Sequence, residues 1–183
     1  MSTLSTKMVR LVVAGWLVAM TLAVSSLAQG QQHPGGQARL EKEVRHVLVT
    51  QPFYSVFDNL AFKVDGDRVT LLGQVVKPTL KSDAAAAVKS IEGVSAVDNQ
   101  IEVLPVSPND DRIRLAEYRA IYSASGMEKY AMQAVPPIHI IVKNGHVTLV
   151  GVVANAADKT LADVRAKSVS GVFSVTNQLT VEK

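Results

Sequence analysis

The sequence predicts an α+β fold: two tandem small αββαβ domains, each a three-stranded mixed sheet covered by two helices, after an N-terminal signal peptide. Three observations predict this fold. The chain repeats itself, since GVSAVDNQIEV at 93–103 returns as GVFSVTNQLTV at 171–181. Each copy shows the same order of strand-like and helix-like patterns, and an apolar segment precedes both copies. Self-similarity of this kind decides the architecture before any finer argument.

The repeat extends well beyond its last strand. Val69 maps onto Val147 and Gly93 onto Gly171, a shift of 78 residues, and no gap is needed from Val69 to Val103. Chance does not produce so long an ordered series of matches. The chain therefore contains two copies of one small domain.

Each copy contains a predicted β-hairpin. LAFKV (60–64) and IHIIV (138–142) are short and rich in β-branched or aromatic residues, as strands are. Asp65-Gly66 and Asn144-Gly145 follow them, and such pairs tolerate the positive φ angles of a tight turn. The predicted partner strands are VTLLGQV (69–75) and VTLVGVV (147–153).

A helix follows each hairpin. Apolar residues recur at helical spacing in both copies: Leu80, Ala84, Ala87, Val88 and Ile91, then Leu161, Ala162, Ala166 and Val169. Thr79 and Asn155 are the predicted N-caps. The helix is a crossover, so the strand after it can lie parallel to its neighbour. That third strand is predicted from alternation at 97–103 and 175–181.

Four glycines recur at structural positions of the repeat. Gly73 and Gly151 lie inside predicted strands, where glycine indicates a bulge or the close approach of another backbone. Gly93 and Gly171 are predicted to end the helices as C′ residues.

A further helix is predicted before each hairpin. RLEKEVRHVLV (39–49) places apolar residues on one stripe, and DDRIRLAEYRAIY (110–122) opens with two acids that favour a helix start. The expected organisation is a signal peptide at 1–28, a flexible segment at 29–37, a first domain at 38–104, a linker at 105–109 and a second domain at 110–183.

The leader has the composition of a secretory signal peptide. Lys7 and Arg10 precede an apolar run over 11–28, which ends in the small residues of SLA (26–28). The alternative is an uncleaved inner-membrane anchor, because the run approaches the roughly 20 residues that span a bilayer. We expect cleavage and a periplasmic chain, since small residues stand where a peptidase needs them.

Composition excludes several classes of function. Removing 1–28 takes away Lys7 and Arg10 and no acid, so the formal charge falls from +3 to +1. That charge is too small for nucleic-acid binding, and 5% aromatic residues are few for base stacking. The chain has no cysteine, which excludes disulfides and thiolate chemistry. Export also removes access to ATP and reduced nicotinamide, so we expect no cofactor.

The repeated pattern resembles the BON domain, which is named for bacterial OsmY and nodulation proteins. The resemblance rests on VTLLGQV…GVSAVDNQIEV and VTLVGVV…GVFSVTNQLTV, and it covers most of the chain after the leader. A signal peptide followed by two BON domains is similar to OsmY-like periplasmic proteins. The resemblance implies attachment to phospholipid membranes and a link to osmotic or envelope stress. Lipoprotein relatives carry a lipidated cysteine, which this sequence lacks.

The sequence predicts no catalytic or metal site. His139 and His146 are close enough in sequence to approach each other across a hairpin, but an exposed polar role explains them better. Asp110 and Asp111 are adjacent, so they favour a helix start over paired acid–base chemistry. Asn99 and its counterpart in the second copy repeat at one place, which indicates satisfaction of strand backbone rather than catalysis.

The best surface candidate is the entry segment of the second domain, RIRLAEYRAIYSASGMEKYAMQAVPP (112–137). Its candidate lipid-contact residues are Arg112, Tyr118, Arg119, Tyr122, Lys129 and Tyr130. Aromatic rings enter a headgroup layer while bases meet lipid phosphates. The alternative is that the tyrosines fill the core and the interdomain contact. The first domain has a comparable aromatic loop, QPFYSVF (51–57), with fewer bases.

Two hypotheses of function follow. The first is a non-enzymatic exported protein whose partner is an anionic phospholipid surface of the envelope. The second is a chaperone-like or protein-interaction module, in which a sheet edge or the interdomain groove takes an envelope protein. A hydrolase or metal enzyme would need convergent titratable groups, and the sequence offers none. The oligomeric state is not predicted.

Overall fold

The predicted helices and strands occur in the predicted order, with two additions: the last strand of the first domain is divided in two, and a short helix precedes the hairpin of the second domain. The computed structural model describes residues 34–133 and 136–182, and the predicted signal peptide lies outside them. The first domain contains α1 (Pro34–Val49), β1 (Asn59–Asp65), β2 (Arg68–Val75), α2 (Pro78–Lys89), β3 (Ala96–Asn99) and β4 (Glu102–Val103). The second contains α3 (Pro108–Tyr122), α4 (Glu128–Ala131), β5 (Ile138–Lys143), β6 (His146–Val153), α5 (Ala156–Lys167) and β7 (Ser174–Val181).

Both sheets are mixed, as predicted. In the first, β1 is antiparallel to β2, whereas β3 and β4 pair with β2 in parallel. In the second, the order is β5-β6-β7, with an antiparallel hairpin and a parallel last strand. The parallel strand follows from the crossover helix, because a strand that returns through a helix runs in the same direction as the strand before it.

The repeated asparagines join the last strand to the crossover helix. The Asn99 amide donates to the carbonyl of Lys81 at 2.9 Å, and its oxygen accepts from the Ile101 amide at 3.2 Å. Asn177 makes the same pair of bonds with Lys159 and Leu179 at 2.9 and 3.1 Å. The hypothesis that this residue satisfies backbone near a strand is therefore confirmed.

Each sheet packs its helices over one hydrophobic core. The first core contains Leu40, Val44 and Leu48 of α1, Val69, Leu71 and Val75 of β2, Leu80, Ala84 and Val88 of α2, and Ile91 and Ile101. The second is built from α3, α5 and the inner faces of β5, β6 and β7, and includes Ile113, Ile121, Ile140, Leu149, Ala162 and Leu179. Both cores lie inside the compact unit formed by residues 32–183. A chain of residues 29–183 therefore contains the whole described fold.

Several helix ends differ from the prediction. Helix α1 begins at Pro34, inside the segment predicted to be flexible, and α3 begins at Pro108, inside the predicted linker. Thr79 is not an N-cap, because α2 starts at Pro78 after Lys77, whose side chain makes no capping bond. Asn155 does cap α5, accepting from the Asp158 amide at 2.8 Å.

Gly93 and Gly171 lie beyond the helix ends rather than at C′. The C-caps of α2 and α5 are Ser90 and Ser168, three residues earlier. Both glycines have a positive φ, 94° and 91°, and each is the third residue of a turn that leads into the next strand. A side chain is strained in that conformation, which explains why glycine recurs there.

Gly73 and Gly151 face the backbone of the neighbouring strand or its entry. A Cβ atom at Gly73 would lie 2.0 Å from the carbonyl oxygen of Asn59, and one at Gly151 would lie 1.9 Å from that of Pro137. No side chain fits in either place, so the close approach of two backbones requires glycine.

The buried carboxylate of Asp110 joins the start of α3 to the β5–β6 turn. It accepts from the amides of Asn144 and Gly145 at 2.8 and 2.9 Å, while the Ser107 hydroxyl caps the helix. Both turn residues have a positive φ, so the turn presents its amides on one side. The predicted role of this acid at a helix start is thus combined with a tertiary contact.

The loop 50–58 of the first domain contacts strand β5 of the second. The Ile140 amide donates to the Val56 carbonyl at 2.7 Å, and the rings of Tyr54 and His139 stack at 5.4 Å. Phe57 packs against the second core. On the other side Lys143 forms an ion pair with Glu102 at 2.5 Å. The two domains are therefore in direct contact.

Candidate functional site

Two of the six predicted contact residues lie in the core. Tyr122 is 4% exposed, and its hydroxyl donates to the Ile138 carbonyl at 2.5 Å. Tyr130 is 5% exposed, and its hydroxyl donates to Asp158 at 2.6 Å and accepts from the Ala154 amide at 2.8 Å. Neither ring is available to a surface partner. These two residues correct the predicted patch and follow the alternative in which tyrosines fill the core.

Lys129 is exposed but already paired. Its ammonium lies 2.7 Å from the carboxylate of Asp158, in the first turn of α5. The hydrogen bond to Asp158 raises the pKa of Lys129, and the same bond lowers the pKa of Asp158. The local charge of Lys129 is neutralised by this partner, which makes it a poor candidate for an anionic surface.

Arg112 has a counterpart that indicates a structural role. Its guanidinium lies so close to Gly171 that a Cβ atom there would come within 2.8 Å of Nη2. In the first domain Arg39 lies beside Gly93 and donates to the Glu92 carbonyl at 3.3 Å. Each domain thus places an arginine of its first helix against the turn that follows its crossover helix. Free carbonyls near a helix C-terminus favour such a cation.

The remaining candidates, Tyr118 and Arg119, lie on the exposed face of α3. Tyr118 is 36% exposed and is held by the Tyr122 ring at 4.8 Å and the Phe57 ring at 6.4 Å. Leu115, one helical turn before Arg119, is 51% exposed. Arg119 belongs to none of the ion pairs found among residues 34–133 and 136–182. This face therefore combines two apolar side chains with an uncompensated base.

A groove of about 290 Å³ separates this face from the first domain. Its apolar walls are Phe53, Phe57 and Val76 on one side and Leu115 on the other, and Lys77 also lines it. Its acids are already occupied. Asp58 accepts from the Val76 amide at 2.7 Å, and Asp111 pairs with Arg114 at 2.5 Å. The composition of QPFYSVF indicated an aromatic loop, but only the fold places it beside α3.

The two histidines of the β5–β6 hairpin lie at different places in the strand pairing. His139 lies opposite Val150 and His146 opposite Lys143, so the two histidines do not meet across the hairpin. Burial lowers the pKa of His139. Burial raises the pKa of Glu117 to about 8, and neither of its oxygens has a hydrogen-bond partner in the described structure. Within the described ranges no three His, Asp or Glu side chains are grouped to hold a metal.

Two tandem αββαβ units define the class of protein. The sequence model of the BON domain matches residues 37–105 and 125–183, together more than half of the chain. The chain therefore belongs to the BON domain family. Helix α3 (Pro108–Tyr122) lies between the two matched stretches. No described helix has both the length and the apolar character needed to cross a membrane.

One curated relative and one solved structure are similar to this chain at low sequence identity. The chain is 30% identical over 112 residues to the outer membrane lipoprotein DolP of Haemophilus influenzae, covering 59% of this chain and 55% of that protein. The chain thus spans about half the length of that relative. A solved structure of CdsD, a structural protein of the type III secretion system of Chlamydia trachomatis, is 14% identical, with a TM-score of 0.32. The alignment covers 79% of this chain and 92% of that one.

Proposed function

We propose that this chain is a non-enzymatic exported protein of the cell envelope that binds anionic phospholipid surfaces peripherally. The observation that carries the proposal is the exposed face of α3, where Leu115 and Tyr118 lie beside Arg119. Membership of the BON family and similarity to an outer membrane lipoprotein support an envelope location. By the same resemblance we propose a periplasmic location and a link to osmotic or envelope stress.

The face suits a lipid surface because its two components act together. Apolar side chains gain free energy on entering the boundary between headgroups and acyl chains, and each nearby base adds about 1 kcal/mol on an anionic surface. Neither component alone gives stable attachment.

Vesicle sedimentation of residues 29–183 tests the proposal. We expect binding to vesicles that contain phosphatidylglycerol, weaker binding to pure phosphatidylcholine, and loss of binding in high salt, because exposed charges are screened. Equal binding to both lipids, or none to either, would contradict the proposal. The second outcome would favour the protein-interaction alternative, which capture of a partner from an envelope extract would then examine.

A charge-reversal pair locates the contact. Reversing Arg119 to Glu should weaken anionic binding by roughly thirtyfold, since about 2 kcal/mol is lost when one base becomes an acid. Lys63→Glu makes the same change of net charge at an exposed position on β1 in the first domain. It should have a much smaller effect. If the two variants bind equally, α3 is not the contact face.

A further inference from the structure

Phe53 stands in a backbone conformation that favours glycine. The Tyr54 amide donates to the Gln51 carbonyl at 3.2 Å, which closes a four-residue turn with Pro52 in second place and Phe53 in third. The φ angle of Phe53 is 68°. A positive φ at the third position is that of a type II turn, where glycine is preferred and a bulky residue is strained.

The side chain of this strained residue is part of neither hydrophobic core. Phe53 is 67% exposed and belongs to neither hydrophobic core, although its neighbours Tyr54 and Phe57 pack against the first and second cores. The segment after the turn is therefore anchored in both cores, while Phe53 projects from it. Strain of this kind persists when the surrounding structure holds it, and it often marks a functional position.

Phe173 shows what an exposed ring with a structural role looks like. It is 76% exposed, yet its ring covers the β5–β6 turn so closely that a Cβ atom at Gly145 would lie 2.6 Å from Cδ2. It also lies 5.9 Å from the His146 ring. The Phe53 ring, by contrast, is part of neither core and lines the groove beside Lys77.

A free base accompanies the ring. The Lys77 ammonium lies 4.2 Å from the centre of the Phe53 ring, within the range of a cation–π contact. In the described part of the chain Lys77 takes part in no ion pair. Across the groove stands Leu115, which is 51% exposed. The apolar Phe53 ring and the Lys77 ammonium beside it complement a lipid layer, which has an apolar interior and anionic headgroups.

We propose that Phe53 inserts into the lipid layer when the chain binds an anionic phospholipid surface, and that Lys77 then contacts a lipid phosphate. The inference rests on the proposed function and deepens it. It makes the contact surface a joint product of both domains, with Phe53 and Lys77 from the first and Leu115, Tyr118 and Arg119 from the second. The turn presents the ring in advance, so binding does not have to order it.

Tryptophan fluorescence tests insertion directly. The chain has one tryptophan, Trp16, so residues 29–183 contain none and Phe53→Trp introduces a single fluorophore. With phosphatidylglycerol vesicles we expect its emission to move to shorter wavelength and to be quenched by lipids brominated on their acyl chains. Phe173→Trp is the matched control and should show neither change. An emission unchanged at position 53 while the protein sediments with vesicles would overturn the inference.

Substitution by glycine separates binding from stability. Phe53→Gly removes the ring at a φ that suits glycine, so the melting temperature should stay the same or rise while affinity for anionic vesicles falls about tenfold. Phe173→Ser is the control, because Ser95 occupies that position in the first copy. Lys77→Glu should weaken binding more than Lys63→Glu does.

The outcomes distinguish the two proposals. If the wild-type residues 29–183 do not sediment with anionic vesicles, the proposed function fails. If they sediment while Phe53→Gly and Lys77→Glu bind as tightly as their controls, the proposed function stands and insertion of Phe53 is refuted.

Discussion

Glu117 should make the stability of this protein depend on pH. Its side chain is fully buried in α3, and neither carboxylate oxygen has a hydrogen-bond partner among the described residues. Burial raises its pKa from 4.5 to about 8. Because the pKa of Glu117 is raised in the folded state, the stability that its protonated form contributes is fully present below about pH 4.5. This contribution is lost as the pH rises through about 8.

The size of the effect follows from the pKa. Each pKa unit corresponds to about 1.4 kcal/mol, so at pH 7 the folded state has lost about 3 kcal/mol relative to acid solution. Glu117→Gln keeps the shape of the side chain but cannot ionise. The variant should therefore be more stable than the wild type by about 3 kcal/mol at pH 7 and by about 1 kcal/mol or less at pH 5.

Urea unfolding of residues 29–183, followed by circular dichroism between pH 5 and pH 8, measures this difference. Comparing variant and wild type at each pH cancels His139. Because the pKa of His139 is lowered in the folded state, its contribution to stability has the opposite pH dependence to that of Glu117. That contribution is present above pH 6.5 and is lost as the pH falls. Exposed Glu92→Gln is the control and should change little. A difference between Glu117→Gln and wild type that is equal at pH 5 and pH 8 would refute the reasoning.

Two further predictions concern the hairpin of the second domain. Gly151→Ala should cost about 3 kcal/mol or more in the free energy of unfolding, because its Cβ would lie 1.9 Å from the Pro137 carbonyl oxygen. Gly126→Ala, also at a positive φ but with no atom within 4 Å, should cost about 1 kcal/mol, and equal losses in a urea titration would contradict this. Asp110→Ala should cost about 2–4 kcal/mol, because it leaves two turn amides without their charged acceptor. A stability like that of the wild type in thermal melts would show that water replaces the carboxylate.

Local patterns predict most of the fold because they reflect local physics. The hairpin turn at Asn144-Gly145 follows from the tolerance of both residues for a positive φ, and both adopt it. The cap at Asn155 follows from side-chain chemistry within one helical turn. Thr79 fails as a cap because Pro78 already fits the first helical position, so the helix starts before the threonine.

The candidate lipid-contact site is harder to predict from the sequence than the fold is, because it depends on which side chains become buried when the two domains pack together. Tyr122 and Tyr118 are one helical turn apart in sequence, yet one is 4% exposed and the other 36%. Arg112 and Arg119 are both exposed bases on α3, but only the structure shows that Arg112 lies against the Gly171 turn as Arg39 lies against the Gly93 turn. The aromatic loop that contains Phe53 is visible in the sequence, but the turn type and the exposure of Phe53 depend on how Tyr54 and Phe57 pack against the two cores.

The contact between Val56 and strand β5 joins different surfaces of two copies of one domain. A head-to-tail contact of this kind does not close on itself, so identical copies in series would be able to extend it without limit. In this chain the second copy carries a different, longer segment where the first has its loop, and that segment includes α4 (Glu128–Ala131). The second copy therefore has no duplicate of the loop through which the first copy makes this contact. The aromatic turn of the first copy likewise has no duplicate in the second. The two domains therefore carry different surfaces at this position, and the contact between them is made once instead of being repeated along an array.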